Sequence, residues 1–304
     1  MTTHLALVGP TASGKSALAL AIAERLGDVE IVSVDSMQVY RGLDIGTAKA
    51  TAAERGRVPH HMIDVVGAGD DYSVADFQAA ARAAVADIGA RGRRALLVGG
   101  TGLYLQAVID DLRFPGEDLA LRADLEARTA EPGGVARAYA ELERLDGAAA
   151  VRIDPHNARR IVRALEVVRL TGQPFSSFGP GVNGFGPTAF PVSMAGVWLT
   201  REVLAARIEA RVRAMRTLGL LDEVRRVRGS LSRTAAQAIG YKELLAHLDG
   251  ESGLDEAFAT VTRRTRSFAR RQRMWFRRDP RVAWLGTVDN PCALLPALLA
   301  RWRA

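Results

Sequence analysis

The chain has 304 residues, of which 48% are hydrophobic, with a formal net charge of +7 and a sequence pI of about 10.1. The length allows one large core or two modest ones. The positive charge favours an anionic partner, of which nucleic acid is the first candidate, although a chain that is rich in arginine for other reasons has the same pI. Cys292 is the single cysteine, which excludes an internal disulfide. The sequence has no secretory signal pattern and no uncharged run of about 18 residues, so we expect a cytoplasmic protein without a membrane partner.

Strands and helices alternate along the first hundred residues. Apolar runs predict strands over 5–8, 30–34 and 94–98, with 62–66 as a further candidate, and helical spacing predicts helices over 16–25, 74–88 and 101–109. Alternation of this kind predicts an α/β fold whose sheet is mainly parallel and has helices on both faces.

A Phe-Pro-Gly break at 114–116 interrupts this alternation. The sequence is then helical and highly charged over 117–171, and rich in glycine and proline over 179–191. We predict a strand over 191–199, one long amphipathic helix over 201–228, and a helical, basic C-terminal third. The α/β core is therefore assigned to residues 1–113 and 193–304, and a helical insertion to residues 114–192.

The most specific motif is a P-loop, G-x-x-x-x-G-K-[ST], between the first strand and the first helix. It predicts a phosphate site formed by Gly9, Pro10, Thr11, Ala12, Ser13, Gly14, Lys15 and Ser16. Backbone N–H groups and the helix N-terminus would face phosphate oxygens, Lys15 would neutralise them, and the Ser16 hydroxyl would ligate Mg²⁺. The core is thus a P-loop NTPase-like sheet, and the motif alone favours an ATP-using kinase or NTPase.

The carboxylates at the strand ends do not fit a typical NTPase. The strand over 94–98 ends in Gly99-Gly-Thr-Gly102 without an acid, although Asp64 is an alternative metal-binding carboxylate. Asp35 follows the strand over 30–34, where parallel folds place their ligands. It is either a general base beside the P-loop or a residue that caps a turn.

Several longer motifs occur in order along the chain. They are Gly9–Ser16, Asp35-Ser-Met-Gln-Val-Tyr40, Asp44-Ile-Gly-Thr-Ala-Lys49, Gly99-Gly-Thr-Gly-Leu-Tyr104, Arg163-Ala-Leu-Glu166, Gln237-Ala-Ile-Gly-Tyr-Lys242 and Arg270-Arg-Gln-Arg-Met-Trp-Phe276. Together they cover essentially the whole chain, which therefore resembles the tRNA dimethylallyltransferase (tRNA isopentenyltransferase) family.

The resemblance implies a Mg²⁺-dependent prenyl transfer. A dimethylallyl group would pass from dimethylallyl diphosphate to N6 of the adenine 3′ of the anticodon, in tRNAs that read codons beginning with U. The products would be N6-dimethylallyladenosine and diphosphate, and the P-loop would hold the diphosphate. The resemblance makes Asp35, Thr101 and Arg211 the catalytic residues: Asp35 takes the amine proton, Thr101 positions the reacting groups and Arg211 contacts the diphosphate.

The resemblance also implies contacts with the tRNA anticodon stem-loop. The matching positions are Asp35, Ser36, Met37, Gln38, Thr101, Arg122, Arg159, Arg160, Ile161, Val162, Arg163, Gln237, Gly240, Tyr241 and Lys242. Independently of the family, an arginine-rich tract over 263–278 is interleaved with aromatic residues and contains no acid. It is either an RNA-binding face or a solvated basic face over core aromatics.

Three other functions compete with this interpretation. A small-molecule P-loop kinase would use the insertion as a lid, and an adenylate prenyltransferase would act on a free nucleotide. A non-catalytic RNA-binding protein would leave the P-loop and Asp35 unexplained. The insertion and the basic C-terminal tract favour tRNA as the acceptor, and a compact core with one insertion is compatible with a monomer.

Overall fold

The computed structural model describes residues 3–110, 112–178, 182 and 184–303. The chain forms two compact units, one from Met1–Asp110 with Phe185–Ala304 and one from Asp111–Gly184. Within the described residues, no helix combines the length and the hydropathy needed to cross a bilayer.

The larger unit contains a parallel sheet of six strands. In chain order they are β1 (His4–Val8), β2 (Val29–Val34), β3 (His60–His61), β4 (Arg94–Gly99), β5 (Val192–Trp198) and β6 (Val282–Gly286). Their order across the sheet is β3-β2-β4-β1-β5-β6, and every pairing is parallel. The α/β fold with a P-loop-like parallel sheet is therefore confirmed.

Helices account for most of the remaining chain. They are α1 (Lys15–Leu26), α2 (Ala52–Arg57), α3 (Val74–Ala90), α4 (Gly102–Ile109), α5 (Leu119–Ala130), α6 (Gly134–Leu145), α7 (Gly147–Ala150), α8 (Ala158–Thr171), α9 (Arg201–Thr217), α10 (Leu220–Val227), α11 (Tyr241–Leu248), α12 (Leu254–Phe276) and α13 (Leu295–Arg303).

The central strands are apolar because helices cover both faces of the sheet. Alternate residues of β1 point to opposite faces: Ala6 and Val8 join one core cluster, and Leu5 and Leu7 join the other. All five residues of β1 are buried. The core thus holds the C-terminal ends of β1, β2 and β4 side by side, and the loops that follow these ends form the candidate site.

The secondary structure differs from the sequence-based prediction in three places. The short strand beside β2 is His60–His61 rather than 62–66, and Val66 makes an isolated bridge with Tyr40. The helix predicted over 201–228 is two helices, because Gly219 adopts a left-handed conformation with φ of 90°. Finally, the C-terminal third is not all helical, since β6 forms the sheet edge.

The smaller unit contains α5–α8 around its own core, which includes Leu125, Leu142, Ile161 and Leu165. Its bounds differ from the predicted insertion over 114–192. Residues from Phe185 onward belong to the larger unit, where Ala189 N–H donates to the carbonyl of Ile109 and the His4 N–H donates to that of Pro191. Residues 179–181 and 183, within the loop predicted over 179–191, lie outside the described residues.

Candidate active site

The P-loop forms the turn between β1 and α1. Gly9 and Gly14 adopt φ of 155° and 83°, and Ala12 also has a positive φ of 62°. A Cβ on Gly14 would lie 2.5 Å from Cγ of Pro291, so a larger residue there would collide as well as being strained. Because α1 begins at Lys15, its unpaired N-terminal N–H groups face this turn, as an anion site requires.

Two side chains from the C-terminal third hold the P-loop in shape. Oε1 of Gln272, on α12, accepts a hydrogen bond from the Thr11 N–H at 2.7 Å. Nε of Arg207, on α9, donates to the carbonyl of Ala12 at 2.9 Å. Gln272 stands in the motif over 270–276 and Arg207 stands in none of the motifs, and no local pattern connects either residue to the P-loop.

Lys15 and Arg211 create an excess of positive charge beside the P-loop. Burial, together with the neighbouring charge of Arg211, lowers the pKa of Lys15 to about 8, and Asp35 opposes this shift. Burial also lowers the pKa of Arg211, again against the influence of Asp35. Two partly desolvated cations that share one nearby carboxylate would be stabilised by a bound anion such as a diphosphate.

Asp35 follows the C-terminal end of β2. Its Oδ1 accepts the Met37 N–H at 2.9 Å, an Asx turn that orients the carboxylate. The same side chain makes the turn and lines the cavity beside Lys15 and Arg211, so the turn does not exclude the general-base role, which stays a prediction.

Two adjoining cavities meet at Asp35. The phosphate-side cavity is lined by P-loop residues, Asp35, Thr47, His60 and Arg211. The second cavity is here called the apolar-side cavity because a set of apolar side chains lines much of it, namely Met37, Val212, Met215, Ile239, Val261 and Phe268. Asp35, Thr101 and the arginines Arg211, Arg264 and Arg271 also line it. The predicted catalytic residues Asp35, Thr101 and Arg211 are thus brought together at the apolar-side cavity, and Asp35 and Arg211 also line the phosphate-side cavity.

The loop over residues 44–49, here called the 44–49 loop, contributes to both cavities. Lys49 is buried, and its Nζ lies 2.7 Å from Oδ1 of Asp44 and 2.6 Å from Oδ1 of Asp64. Asp64 also pairs with Arg55 at 2.8 Å. These ion pairs occupy the carboxylate of Asp64, and Asp64 is not among the residues that line the two cavities.

The glycines at the end of β4 and at the start of α4 permit close contact with the backbone. A Cβ on Gly99 would lie 2.0 Å from the Val34 carbonyl oxygen, and one on Gly102 would lie 2.1 Å from Cδ1 of Trp275. Thr101 lies between them and precedes α4 without making a side-chain cap hydrogen bond. The glycines therefore position Thr101 at the cavity wall.

The residues of the larger unit that are predicted to contact tRNA differ in their surroundings and in whether they are exposed. Ser36, Met37 and Gln237 line the apolar-side cavity. Gln38 donates to the carbonyl of Thr47 at 3.1 Å and accepts from Ser33 at 2.7 Å, so its amide holds the 44–49 loop. Lys242 is exposed and donates to Gln237 at 2.8 Å.

Tyr241 requires a correction. Its side chain is fully buried and its hydroxyl donates to Oε1 of Glu223 at 2.5 Å, so in this structure the side chain is not available to RNA. Gly240, directly before it, has a positive φ of 100° and donates its N–H to Oε2 of Glu243 at 2.7 Å. The motif therefore anchors a turn, and its exposed members are Gln237 and Lys242.

In the smaller unit, the residues predicted to contact RNA are of three kinds: arginines paired with a buried carboxylate, buried apolar residues and exposed arginines. Arg122 and Arg163 both pair with the fully buried Glu166, at 3.0 Å and 2.9 Å. Ile161 and Val162 are buried in the core of the unit, so their side chains do not present a surface for RNA. Arg159 and Arg160 are exposed, and among the described residues they make no ion pair.

The arginine-rich tract over 263–278 lies on α12 and just beyond it. Some of its members are engaged: Arg264 pairs with the buried Glu243, Arg266 pairs with Glu209, and Arg273 donates to the Leu199 carbonyl at 2.6 Å. The same helix supplies Phe268 to both cavities. The tract therefore forms a wall of the site as well as an exposed basic face.

The chain matches known proteins over its full length. The family model described as IPP transferase matches residues 38–279, and the isopentenyl transferase model matches residues 1–61. This chain belongs to the IPP transferase family. A tRNA dimethylallyltransferase from Kineococcus radiotolerans is 50% identical over 94% of this chain and 91% of its own length.

Solved structures agree with this assignment. The full-length tRNA isopentenylpyrophosphate transferase of Bacillus halodurans has a TM-score of 0.72 and 39% identity, covering 100% of this chain and 97% of its own. A eukaryotic dimethylallyltransferase acting on tRNA has a TM-score of 0.77 and 26% identity, covering 95% of this chain and 75% of its own. The P-loop thus belongs to a prenyl-group transferase, and the kinase alternative is not favoured.

Proposed function

We propose that this family member transfers a dimethylallyl group from dimethylallyl diphosphate to N6 of the adenine 3′ of the anticodon, in tRNAs that read codons beginning with U. The observation that carries the proposal is the meeting of a cationic phosphate-side cavity and an apolar-side cavity at Asp35. An allyl diphosphate has one charged and one apolar end, which suits a P-loop with Lys15 on one side of Asp35 and apolar side chains such as Met37 and Ile239 on the other.

The chemistry follows from these positions. The C–O bond between the allyl carbon and the diphosphate breaks while the bond from adenine N6 forms, and the diphosphate leaves with both bonding electrons. P-loop N–H groups, Lys15 and Arg211 stabilise the leaving charge. The carboxylate of Asp35 accepts the N6 proton, and Thr101 orients the amine.

The residues present fit Mg²⁺ at the start of α1. Ser16 lines the phosphate-side cavity, and its hydroxyl oxygen is a ligand of the type that Mg²⁺ prefers. Among the described residues, no group of three histidine, cysteine, aspartate or glutamate side chains forms a metal site. A metal held mainly by diphosphate oxygens agrees with this arrangement, and when bound it would neutralise the leaving group.

The acceptor is inferred from the relatives, which are named for tRNA. We infer that Ser36, Met37 and Gln237 meet the extruded base, because they line the apolar-side cavity next to Asp35. Arg159 and Arg160 are the exposed cations of the smaller unit that are proposed to contact RNA phosphates. A monomer acting where tRNA is found, in the cytoplasm, is part of the same proposal.

The deciding experiment offers the protein several substrates in parallel. We expect radiolabel from dimethylallyl diphosphate to appear in an anticodon stem-loop with adenine 3′ of the anticodon, and to require Mg²⁺. Labelling of free AMP in preference to RNA would support an adenylate prenyltransferase. Transfer of the γ-phosphate of ATP, with no labelled RNA, would refute the proposal.

A further inference from the structure

A buried carboxylate joins two sequence motifs that are far apart in the chain. Glu223, on α10, is 2% exposed. Its Oε2 accepts the N–H groups of Asp44 at 3.0 Å and Ile45 at 2.8 Å. Its Oε1 accepts the N–H of Gly46 at 3.0 Å and the hydroxyl of Tyr241 at 2.5 Å. The 44–49 loop and the motif over 237–242 are therefore held by one side chain that belongs to neither.

The loop and the tyrosine ring are packed in direct contact. A Cβ on Gly46 would lie 2.4 Å from Cε2 of Tyr241, so only glycine lets the backbone approach this closely. Burial, reinforced by the hydrogen bond to Glu223, raises the pKa of Tyr241, so its hydroxyl stays protonated as a donor. The contact is thus both steric and polar, and it fixes the distance between the two motifs.

Both motifs line the apolar-side cavity. Gly46 and Thr47 come from the 44–49 loop, and Gln237 and Ile239 come from the other motif. Glu223 is not among the residues that line this cavity, so it acts through the backbone groups that it holds. The P-loop is held by the hydrogen bond that Gln272 accepts and the one that Arg207 donates, and neither involves the 44–49 loop.

We propose that Glu223 is a positioning residue for the transfer: it fixes the 44–49 loop against Tyr241 and so determines where the acceptor base is held relative to Asp35. The assignment of a base to this cavity rests on the proposed function. We expect diphosphate binding to depend less on Glu223, because Glu223 holds residues 44–46, whereas Gln272 and Arg207 hold the P-loop itself.

The primary test is Glu223→Gln. Each carboxylate oxygen accepts two hydrogen bonds, so the amide nitrogen of glutamine, a donor, would face at least one backbone N–H. We expect the KM for the anticodon stem-loop to rise about tenfold, and the affinity for inorganic pyrophosphate to change by less than about twofold. Amide hydrogen exchange at Ile45 and Gly46 should become faster.

The matched control is Asp222→Asn. It removes a carboxylate oxygen from the adjacent residue of α10, which is exposed and pairs with Arg225 at 2.8 Å. It should leave the KM for RNA, the affinity for pyrophosphate and the amide hydrogen exchange of the 44–49 loop unchanged. Gly46→Ala places a methyl group against the ring of Tyr241, so it disturbs the same loop contact and should also raise the KM for RNA. Gly56→Ala has nothing near its added Cβ and should leave the KM unchanged.

The outcomes separate this proposal from the proposed function. If the wild-type protein labels no RNA, the proposed function fails, and hydrogen exchange still decides whether Glu223 holds the loop. Unchanged exchange in Glu223→Gln, or an equal loss of pyrophosphate and RNA binding, overturns the positioning role. If Glu223→Gln does not fold, Tyr241→Phe is the second variant, since it removes the hydroxyl that joins Glu223 to the motif over 237–242. A raised KM for RNA with unchanged pyrophosphate affinity would then support the positioning role, and an unchanged KM would overturn it.

Discussion

Gln272 accepts a hydrogen bond from the backbone N–H of Thr11, so a residue of α12 determines part of the shape of the P-loop. The contact joins the first loop of the chain to its longest helix, and Gln272 is buried. A Cβ on Gly100 would also lie 2.3 Å from Nε2 of Gln272, which places this amide between the loops that follow β1 and β4.

Replacing Gln272 by leucine should therefore weaken diphosphate binding. The Thr11 N–H would lose its partner while the apolar bulk is kept, and one such hydrogen bond contributes about 1 kcal/mol, or roughly fivefold in affinity. Calorimetric titration with inorganic pyrophosphate measures the effect, with the exposed Gln173→Leu as the control. Unchanged affinity would show that α12 does not shape the P-loop.

Asp35→Asn should separate chemistry from binding. The amide cannot accept the N6 proton, and a general base contributes about 10² to 10⁴ in rate, so single-turnover transfer should fall by at least about 10². Pyrophosphate should bind as well or better, because a negative charge near Lys15 and Arg211 is removed. The exposed Asp124→Asn serves as the control, and loss of rate and affinity together would instead assign Asp35 to metal binding.

Glu30 should make the stability of the larger unit depend on pH. Hydrogen bonds and charge from Arg91, with a further contribution from His61, lower the pKa of this buried carboxyl to about 2 from an ordinary 4.5. A lowered pKa in the folded state adds stability that is complete above about pH 4.5 and is lost as the pH falls towards 2. The difference amounts to about 3 kcal/mol.

Urea unfolding at a series of pH values between 2 and 7 measures this contribution. The free energy of unfolding of Glu30→Gln should be lower than that of the wild type at neutral pH and should converge with it in acid. The control is Glu131→Gln, whose exposed carboxylate pairs with Arg137, and it should follow the wild-type curve. Parallel curves for the wild type and Glu30→Gln would contradict the assignment.

The arginines of the smaller unit should divide into two functional groups. The double variant Arg159→Gln/Arg160→Gln should weaken anticodon stem-loop binding without changing Tm. The slope of log K against log salt concentration should become shallower by the amount that corresponds to the loss of up to about two phosphate contacts. Arg122→Gln should lower Tm, because it removes one of the two arginines around the buried Glu166.

Binding titrations at several salt concentrations, paired with thermal unfolding, measure both effects. A flat salt response of the wild-type protein would remove the exposed arginines from RNA binding. A lower Tm for Arg159→Gln/Arg160→Gln, with an unchanged Tm for Arg122→Gln, would contradict the division, because the structural role would then belong to Arg159 and Arg160.

Local patterns predicted much of the fold and part of the site. The strands β1, β2 and β4 were found because a strand buried on both faces is a short apolar run, and the P-loop was found because its turn needs glycine at set positions. The strand at His60–His61 and the break at Gly219 were missed. The strand depends on pairing with β2, which is distant in the chain, whereas Gly219 lies in an otherwise helical pattern, where a glycine alone does not show whether the helix ends.

The sequence by itself determined the parallel α/β core, the Gly9–Ser16 anion site and the place of Asp35 at a strand end, since each follows from residues close together in the chain. Only the tertiary structure decided what surrounds them: Gln272 on the P-loop, Arg211 beside Lys15, and Glu223 beneath the 44–49 loop. The physical reason is that hydrogen bonds and charge pairs between distant segments leave no periodic pattern in either segment. The same holds for the arginines, because Arg122 and Arg160 look alike in sequence and differ only in whether a buried carboxylate lies within reach.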